Sequence, residues 1–131
     1  MARILLVEDD AILHVDYLDR LTYLGHEVLS AHNARDVAMF IERNEYFDIV
    51  VCDNQIPYVH GFESAADVGI EMYRLVSSKA ENTPEFILHT GDPESDLKVK
   101  LAGTNIHYLA KDHSDNLEKM VTELLQEAGV E

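Results

Sequence analysis

The sequence predicts an α/β fold: a doubly wound, three-layer (βα)5 sandwich around one five-stranded parallel sheet. Five short apolar runs alternate with amphipathic stretches, each run bounded by polar or Gly/Pro residues in the manner of buried parallel strands. Right-handed crossovers between such strands place helices on both sheet faces. The chain has 131 residues, 47% hydrophobic and 27% charged, the size and composition of one domain. At this length folding hides roughly two thirds of the unfolded surface, enough for a core without metal or disulfide staples.

The first strand is expected over Arg3 to Val7, the second over Glu27 to Ala31 and the third over Asp48 to Cys52. The fourth runs from Phe86 to His89 and the fifth from Ile106 to Ala110. Ile49-Val50-Val51-Cys52 is the most continuously apolar run and should be central. Ile12, Val15, Leu18, Leu21 and Leu24 recur at helical spacing, predicting a first helix from Asp10 to Leu24 that stops at Gly25. Asn33 is expected to cap a second helix with an inner face of Val37, Ala38 and Ile41. The third helix is expected from Gly69 to Ser78, the fourth from Pro93 to Ala102, and the fifth from Ser114 to just before Gly129.

With 10 Lys+Arg against 25 Asp+Glu the formal net charge is −15, which argues against a phosphate-backbone binding surface and hence against direct nucleic-acid binding. The acids are scattered, as on a solvated surface, so only acids in unusual places carry weight. The single cysteine, Cys52, permits no internal disulfide and no cysteine zinc cage, which fits the cytoplasm. Ile4 to Val7 is too short for a signal segment, and no apolar run approaches membrane-spanning length, so no membrane insertion is expected.

In an open parallel sheet the ligand site lies beyond the carboxyl ends of the strands. There the first strand ends in Glu8 and Asp9, the third in Asp53, the fourth in Thr90, and the fifth delivers Lys111. Three carboxylates converging on one edge repel unless a cation offsets them, and oxygen-only ligation suits a hard ion such as Mg2+. Asp53, after the central strand, is the candidate nucleophile towards phosphorus, with Glu8 and Asp9 better placed to hold metal and its waters. Thr90 and Lys111 suit phosphoryl oxygens during in-line transfer. Singly, each residue reads as a turn former, helix cap or solvated charge; the argument lies in all five falling at equivalent positions of one sheet.

The spaced set ILLVEDD (4 to 10), FDIVVCDNQIP (47 to 57), FILHTG (86 to 91) and YLAK (108 to 111) resembles the response-regulator receiver domain of two-component phosphorelays, over Ile4 to about Leu125. The resemblance implies a flavodoxin-like strand order 2-1-3-4-5. It implies that Asp53 accepts a phosphoryl group from a sensor histidine kinase or phosphotransfer protein, the receiver itself catalysing its phosphorylation and dephosphorylation. Asp9, Asp53 and the backbone carbonyl of Gln55 would bind Mg2+ directly, and Glu8 largely through a metal-bound water. Thr90 and Lys111 would contact the phosphoryl group. Tyr108 matches the family's switch aromatic: when Thr90 moves inward, Tyr108 follows and remodels the surface of the fourth helix, fifth strand and fifth helix for a downstream protein target. Gln55 and Asp92 flank the water path and are expected to tune phosphate lifetime. The chain is expected to be a single receiver domain over 1–131 with no output domain, working as a monomer or a phosphorylation-linked dimer.

Two departures from the family pattern stand out. The third helix is expected to open at Gly69-Ile70-Glu71-Met72, which implies an insertion of about eight residues near 58–68, including Tyr58, His60, Phe62, Glu63 and Asp67, that lids the site, selects the kinase or is a tolerated surface loop. After Lys111 the family commonly has a cis-linked proline where this chain has Asp112, so a trans bond is expected, since a non-proline cis bond costs roughly 2.5 to 4 kcal/mol. The seven histidines, His14, His26, His32, His60, His89, His107 and His113, show no metal-motif spacing and read mostly as surface or rim residues. His89 would look across the sheet, and His60 would approach the phosphate if the insertion folded back.

Two other classes remain open: a receiver-like, non-phosphorylated protein-binding module, and a small hydrolase with an aspartyl nucleophile. The five site residues weigh against the first, and no acid/base or substrate-pocket motif supports the second. A flavin-binding protein of this architecture would want a phosphate-cradling loop where Glu8-Asp9-Asp10 stands.

Overall fold

In the computed structural model, which describes residues 1–79 and 82–130, five strands and five α-helices alternate along the chain. They are β1 (Arg3–Val7), α1 (Ala11–Tyr23), β2 (Glu27–Ala31), α2 (Ala34–Glu42), β3 (Ile49–Cys52), α3 (Val68–Lys79), β4 (Glu85–Thr90), α4 (Glu94–Leu101), β5 (Ile106–Ala110) and α5 (Leu117–Glu127). The sheet is parallel in the order β2-β1-β3-β4-β5, with β3 central as its composition predicts. Alternate strand residues feed two cores. Leu5, Val7, Val50, Cys52, Phe86 and Leu88 pack under α2, α3 and α4, while Ile4, Leu6, Ile49, Val51, Ile87 and Leu109 pack under α1 and α5.

Strand and helix ends fall within one or two residues of expectation except at the fifth helix. A 3-10 helix over Lys111–Asn116 intervenes, and the α-helix begins at Leu117, three residues later than Ser114. No peptide bond among the described residues is cis, so Lys111–Asp112 is trans as expected.

The inner face of α1 is only partly the predicted one: Leu21 is buried and Leu18 packs against the core as expected. His14, Tyr17 and Leu21 are buried, whereas Ile12 is 81% exposed and Val15 and Leu24 are also exposed. A spacing of exactly three residues falls short of a full turn by about 60° per step, so five such residues wind around the helix and cannot share one side. The expected Val37 of α2 is buried, and Asn33 caps that helix through the Asp36 N–H at 2.8 Å.

The amino ends of the strands are held by Arg3. Its N–H donates to Asp48 Oδ2 at 2.8 Å, and its guanidinium donates to Glu27, Glu45 and the Tyr46 carbonyl while lying over the Tyr46 ring. One residue thus ties β1 to β2 and to the segment entering β3. Among the described residues, no helix is long and apolar enough to cross a membrane.

Candidate functional site

The order β2-β1-β3 puts the carboxyl ends of β1 and β3 side by side, Val7 paired with Cys52, so Glu8 and Asp9 emerge beside Asp53. One carboxylate oxygen from each of Glu8, Asp9 and Asp53 lies within 4.8 Å of the others. Glu8 and Asp53 are buried and Asp9 is exposed. Asp10 does different work: its Oδ1 accepts the Ile12 and Leu13 N–H groups at 3.0 Å and caps α1.

Lys111 follows β5 and reaches back over the sheet, its Nζ 2.8 Å from Asp53 Oδ2 and 2.7 Å from Glu8 Oε1. Burial pulls the Lys111 pKa down, but the hydrogen bonds and charges of Asp53 and Glu8 together outweigh it and hold the ammonium above its ordinary range. Burial raises the Glu8 pKa, with Lys111 and the Asp10 N–H pulling the other way. The cluster is an oxygen-only, carboxylate-rich donor set with one cation already in contact, the chemistry that suits a hard divalent ion.

Cys52 pairs with Leu88, so Asp53 and Thr90 lie one and two residues beyond that pair on adjacent strands. Thr90 is buried, and its Oγ1 accepts the Asp92 N–H at 3.1 Å. Gln55 is exposed; its N–H donates to Asp53 Oδ1 at 3.3 Å and its side-chain amide to Asp92 Oδ1 at 2.6 Å. Tyr108 is half-buried, and its hydroxyl donates to the Asp92 carbonyl. Asp92 therefore stands between both switch candidates and the loop that follows Asp53.

The segment between β3 and α3 folds against the site. Ile56 and Ala65 form an antiparallel bridge, and the Pro57 and Tyr58 carbonyls accept the Ala34 and Arg35 N–H groups at the start of α2. Ser64 Oγ donates to Asp9 Oδ2 at 2.9 Å. His60 and Phe62 remain exposed at the tip. Gly69 in α3 is required by a close approach: a Cβ there would lie 2.4 Å from the Asp53 carbonyl oxygen and 2.7 Å from Asn54 Cα.

Three polar features escaped the sequence reading. Asn54, fully buried, donates to Asp67 Oδ1 at 3.0 Å and Asp92 Oδ2 at 2.9 Å, and its Oδ1 accepts the Ile70 N–H at 3.3 Å. Asp67, held at φ 62°, also pairs with Lys100 of α4, and these bonds depress its carboxyl pKa. His14 is buried rather than at the rim, as is His89, which was expected to look across the sheet, and His14 does have a neighbour: its ring centroid is 4.3 Å from that of His32, both rings meeting the Glu8 carbonyl. Parallel pairing of β1 with β2 creates that proximity, which no sequence spacing displays. His89 packs against Tyr17 with the ring centroids 4.8 Å apart and the planes tilted by 58°.

No protein-family model matches the chain. It is 33% identical over 98 residues to protein PilH of Pseudomonas aeruginosa, covering 73% of this chain and 74% of that protein. The probable transcriptional regulators ycf27 of Porphyra purpurea and Pyropia yezoensis are 38% and 37% identical over 60 residues, 46% of this chain but only 24% of theirs; the match spans about a quarter of those relatives. The fold is similar to response regulator TrrA of Thermotoga maritima, solved in complex with Mg(2+)-BeF, at TM-score 0.72 and 22% identity over 95% of this chain and 100% of that one. It is also similar to the chemotaxis response regulator CheY4 of Vibrio cholerae, at TM-score 0.71 and 25% identity over 95% and 99%. With PilH alike across most of both sequences, and receiver structures alike from end to end, this chain belongs to the response-regulator receiver family of two-component systems.

Proposed function

We propose that Asp53 is the phosphoacceptor of this receiver and that a sensor histidine kinase or phosphotransfer protein supplies the phosphoryl group from a phosphohistidine. The observation that carries this is the Lys111 ammonium bridging Asp53 and Glu8 at 2.8 and 2.7 Å within a three-carboxylate cluster. An Asp53 carboxylate oxygen attacks phosphorus, the P–O bond forms as the P–N bond breaks, and the departing imidazole keeps the electron pair. Lys111 keeps its proton and stabilises charge on the transferring group, and Thr90 offers its hydroxyl to another phosphoryl oxygen.

The Glu8, Asp9 and Asp53 carboxylates fit Mg2+; Asp9 and Asp53 would hold it together with the Gln55 backbone carbonyl, and Glu8 would act through a bound water. When bound, the ion would offset the charge of the carboxylates and of the phosphoryl oxygens. Thr90 and Tyr108 form the switch pair. Asp92 joins them, giving its N–H to Thr90 and its carbonyl to Tyr108, so a Thr90 drawn to the phosphoryl group abandons an Asp92 bond and Tyr108 responds. The surface of α4, β5 and α5 is then presented to a protein target, in the cytoplasm.

Intact mass after incubation with acetyl phosphate and Mg2+ tests the assignment. One added phosphoryl group that disappears in Asp53→Asn and with chelator supports it; normal stoichiometry in Asp53→Asn overturns it.

A further inference from the structure

We propose that Asn54 is a positioning residue that holds Asp92 where it can serve Thr90 and Tyr108, making the loop after the phosphoacceptor and the loop after β4 one mechanical unit. The inference deepens the switch described above and rests on Asp53 as acceptor only for its phosphorylated state.

Three observations carry it. Asn54 has 0% exposure, yet both its amide donors are used and its oxygen is partnered: the nitrogen donates to Asp67 and Asp92, and the oxygen accepts from the Ile70 N–H. A buried amide satisfied in this way is held in one orientation, because turning it strands donors and acceptors away from water. The residues it holds are the ends of two different elements. Asp67 precedes α3 and is itself paired with Lys100 of α4. Asp92 precedes α4, and its backbone is what Thr90 and Tyr108 contact.

Gln55 reaches the same Asp92 carboxylate from outside, but it is exposed, and water can replace its amide without stranding a buried group. No water substitutes so freely for Asn54. Its backbone neighbours are fixed too, since Gly69 of α3 closes against the Asp53 carbonyl and Asn54 Cα with no room for a methyl. A displacement at Asp53 is therefore conveyed to Asp92 through a short, packed and directional link.

The test reads Tyr108 by fluorine NMR of protein labelled with 3-fluorotyrosine, its resonance assigned by its loss in Tyr108→Phe. In unphosphorylated protein, Asn54→Ala and the near-isosteric Asn54→Asp, which keeps the acceptor for Ile70 and loses the amide donors, should both move the Tyr108 resonance towards that of a solvent-exposed tyrosine. In an Asp92→Ala background the same Asn54 substitutions should move it less than half as far, because the link they cut is already gone. A Tyr108 resonance unmoved in folded Asn54→Asp overturns the proposal, as does an equal shift with and without the Asp92 side chain, which marks a general loosening. If neither Asn54 variant folds, the reciprocal arm decides: Asp92→Ala alone must move the Tyr108 resonance, and no movement overturns the link. Adding acetyl phosphate and Mg2+ to the same samples separates the two ideas. Wild-type protein that takes up no phosphoryl group counts against the acceptor assignment, while the unphosphorylated spectra still decide the role of Asn54.

Discussion

Ser64 Oγ donates to Asp9 Oδ2 at 2.9 Å, so the long segment between β3 and α3 holds the one exposed carboxylate of the acidic cluster. A cation that takes the same Asp9 oxygen competes with that hydrogen bond. Its net worth is about 1 kcal/mol, or about fivefold in an equilibrium constant. Ser64→Ala is therefore expected to tighten Mg2+ binding by about that factor in titration calorimetry. Unchanged or weaker binding would show that Ser64 presents Asp9 to the ion instead of withholding it.

Lys111 is the cation nearest Asp53. Removing it leaves Glu8 and Asp53 without their common counter-charge, so the site gains attraction for a divalent ion while losing its hold on phosphoryl oxygens. Lys111→Ala should keep Mg2+ binding and take up phosphoryl from acetyl phosphate roughly 100-fold more slowly, the lower end of the loss expected for one missing charge-stabilising group. Phosphorylation at the wild-type rate would remove Lys111 from the chemistry.

Buried His89 bears on acid stability. Burial first, then the Lys111 and Arg20 charges, lower its pKa to about 4. In the unfolded chain it titrates at about 6.5. As pH falls below about 6.5 the unfolded state takes a proton that the folded state refuses until about 4, so the His89 contribution is complete above 6.5 and fades across that window. The contribution is about 3 kcal/mol at most. His89→Phe should flatten the decline of urea-unfolding stability between pH 6.5 and 4; an undiminished slope would place the acid sensitivity elsewhere.

Gly69→Ala is the sharpest packing test. The new methyl would sit 2.4 Å from a carbonyl oxygen and 2.7 Å from a backbone carbon, and neither can rotate away. Such overpacking costs about 1–3 kcal/mol, so the melting temperature should fall by up to ~10 °C. A fall below ~2 °C would mean that α3 moves aside readily.

The strands and the acids behind them were legible because burial on both sheet faces writes uninterrupted apolar runs, and whatever follows such a run reaches the reactive edge. Glu8, Asp9, Asp53, Thr90 and Lys111 all carried that mark. The α1 face was misread at Ile12 and Val15 because regular spacing alone does not establish a shared side, and the partly polar His14 and Tyr17 took the inner positions. Asn54 was illegible for a different reason. A neutral amide in a polar loop looks like a turn former, and its importance lies in Asp67 and Asp92, 13 and 38 residues away. The signal in hindsight was an uncharged, donor-bearing residue immediately after the acid of the central strand.

The Arg3 clamp gives the sheet a foot and a head. Its bonds to Asp48, Glu27, Glu45 and Tyr46 pin the amino ends of the three strands that carry or flank the acidic cluster, at the opposite end from every group discussed above. Strand register is thereby set where nothing reacts, and loops at the other end can rearrange without the strands sliding. The switching proposed above would then be a motion of loops over strands fixed at their far end.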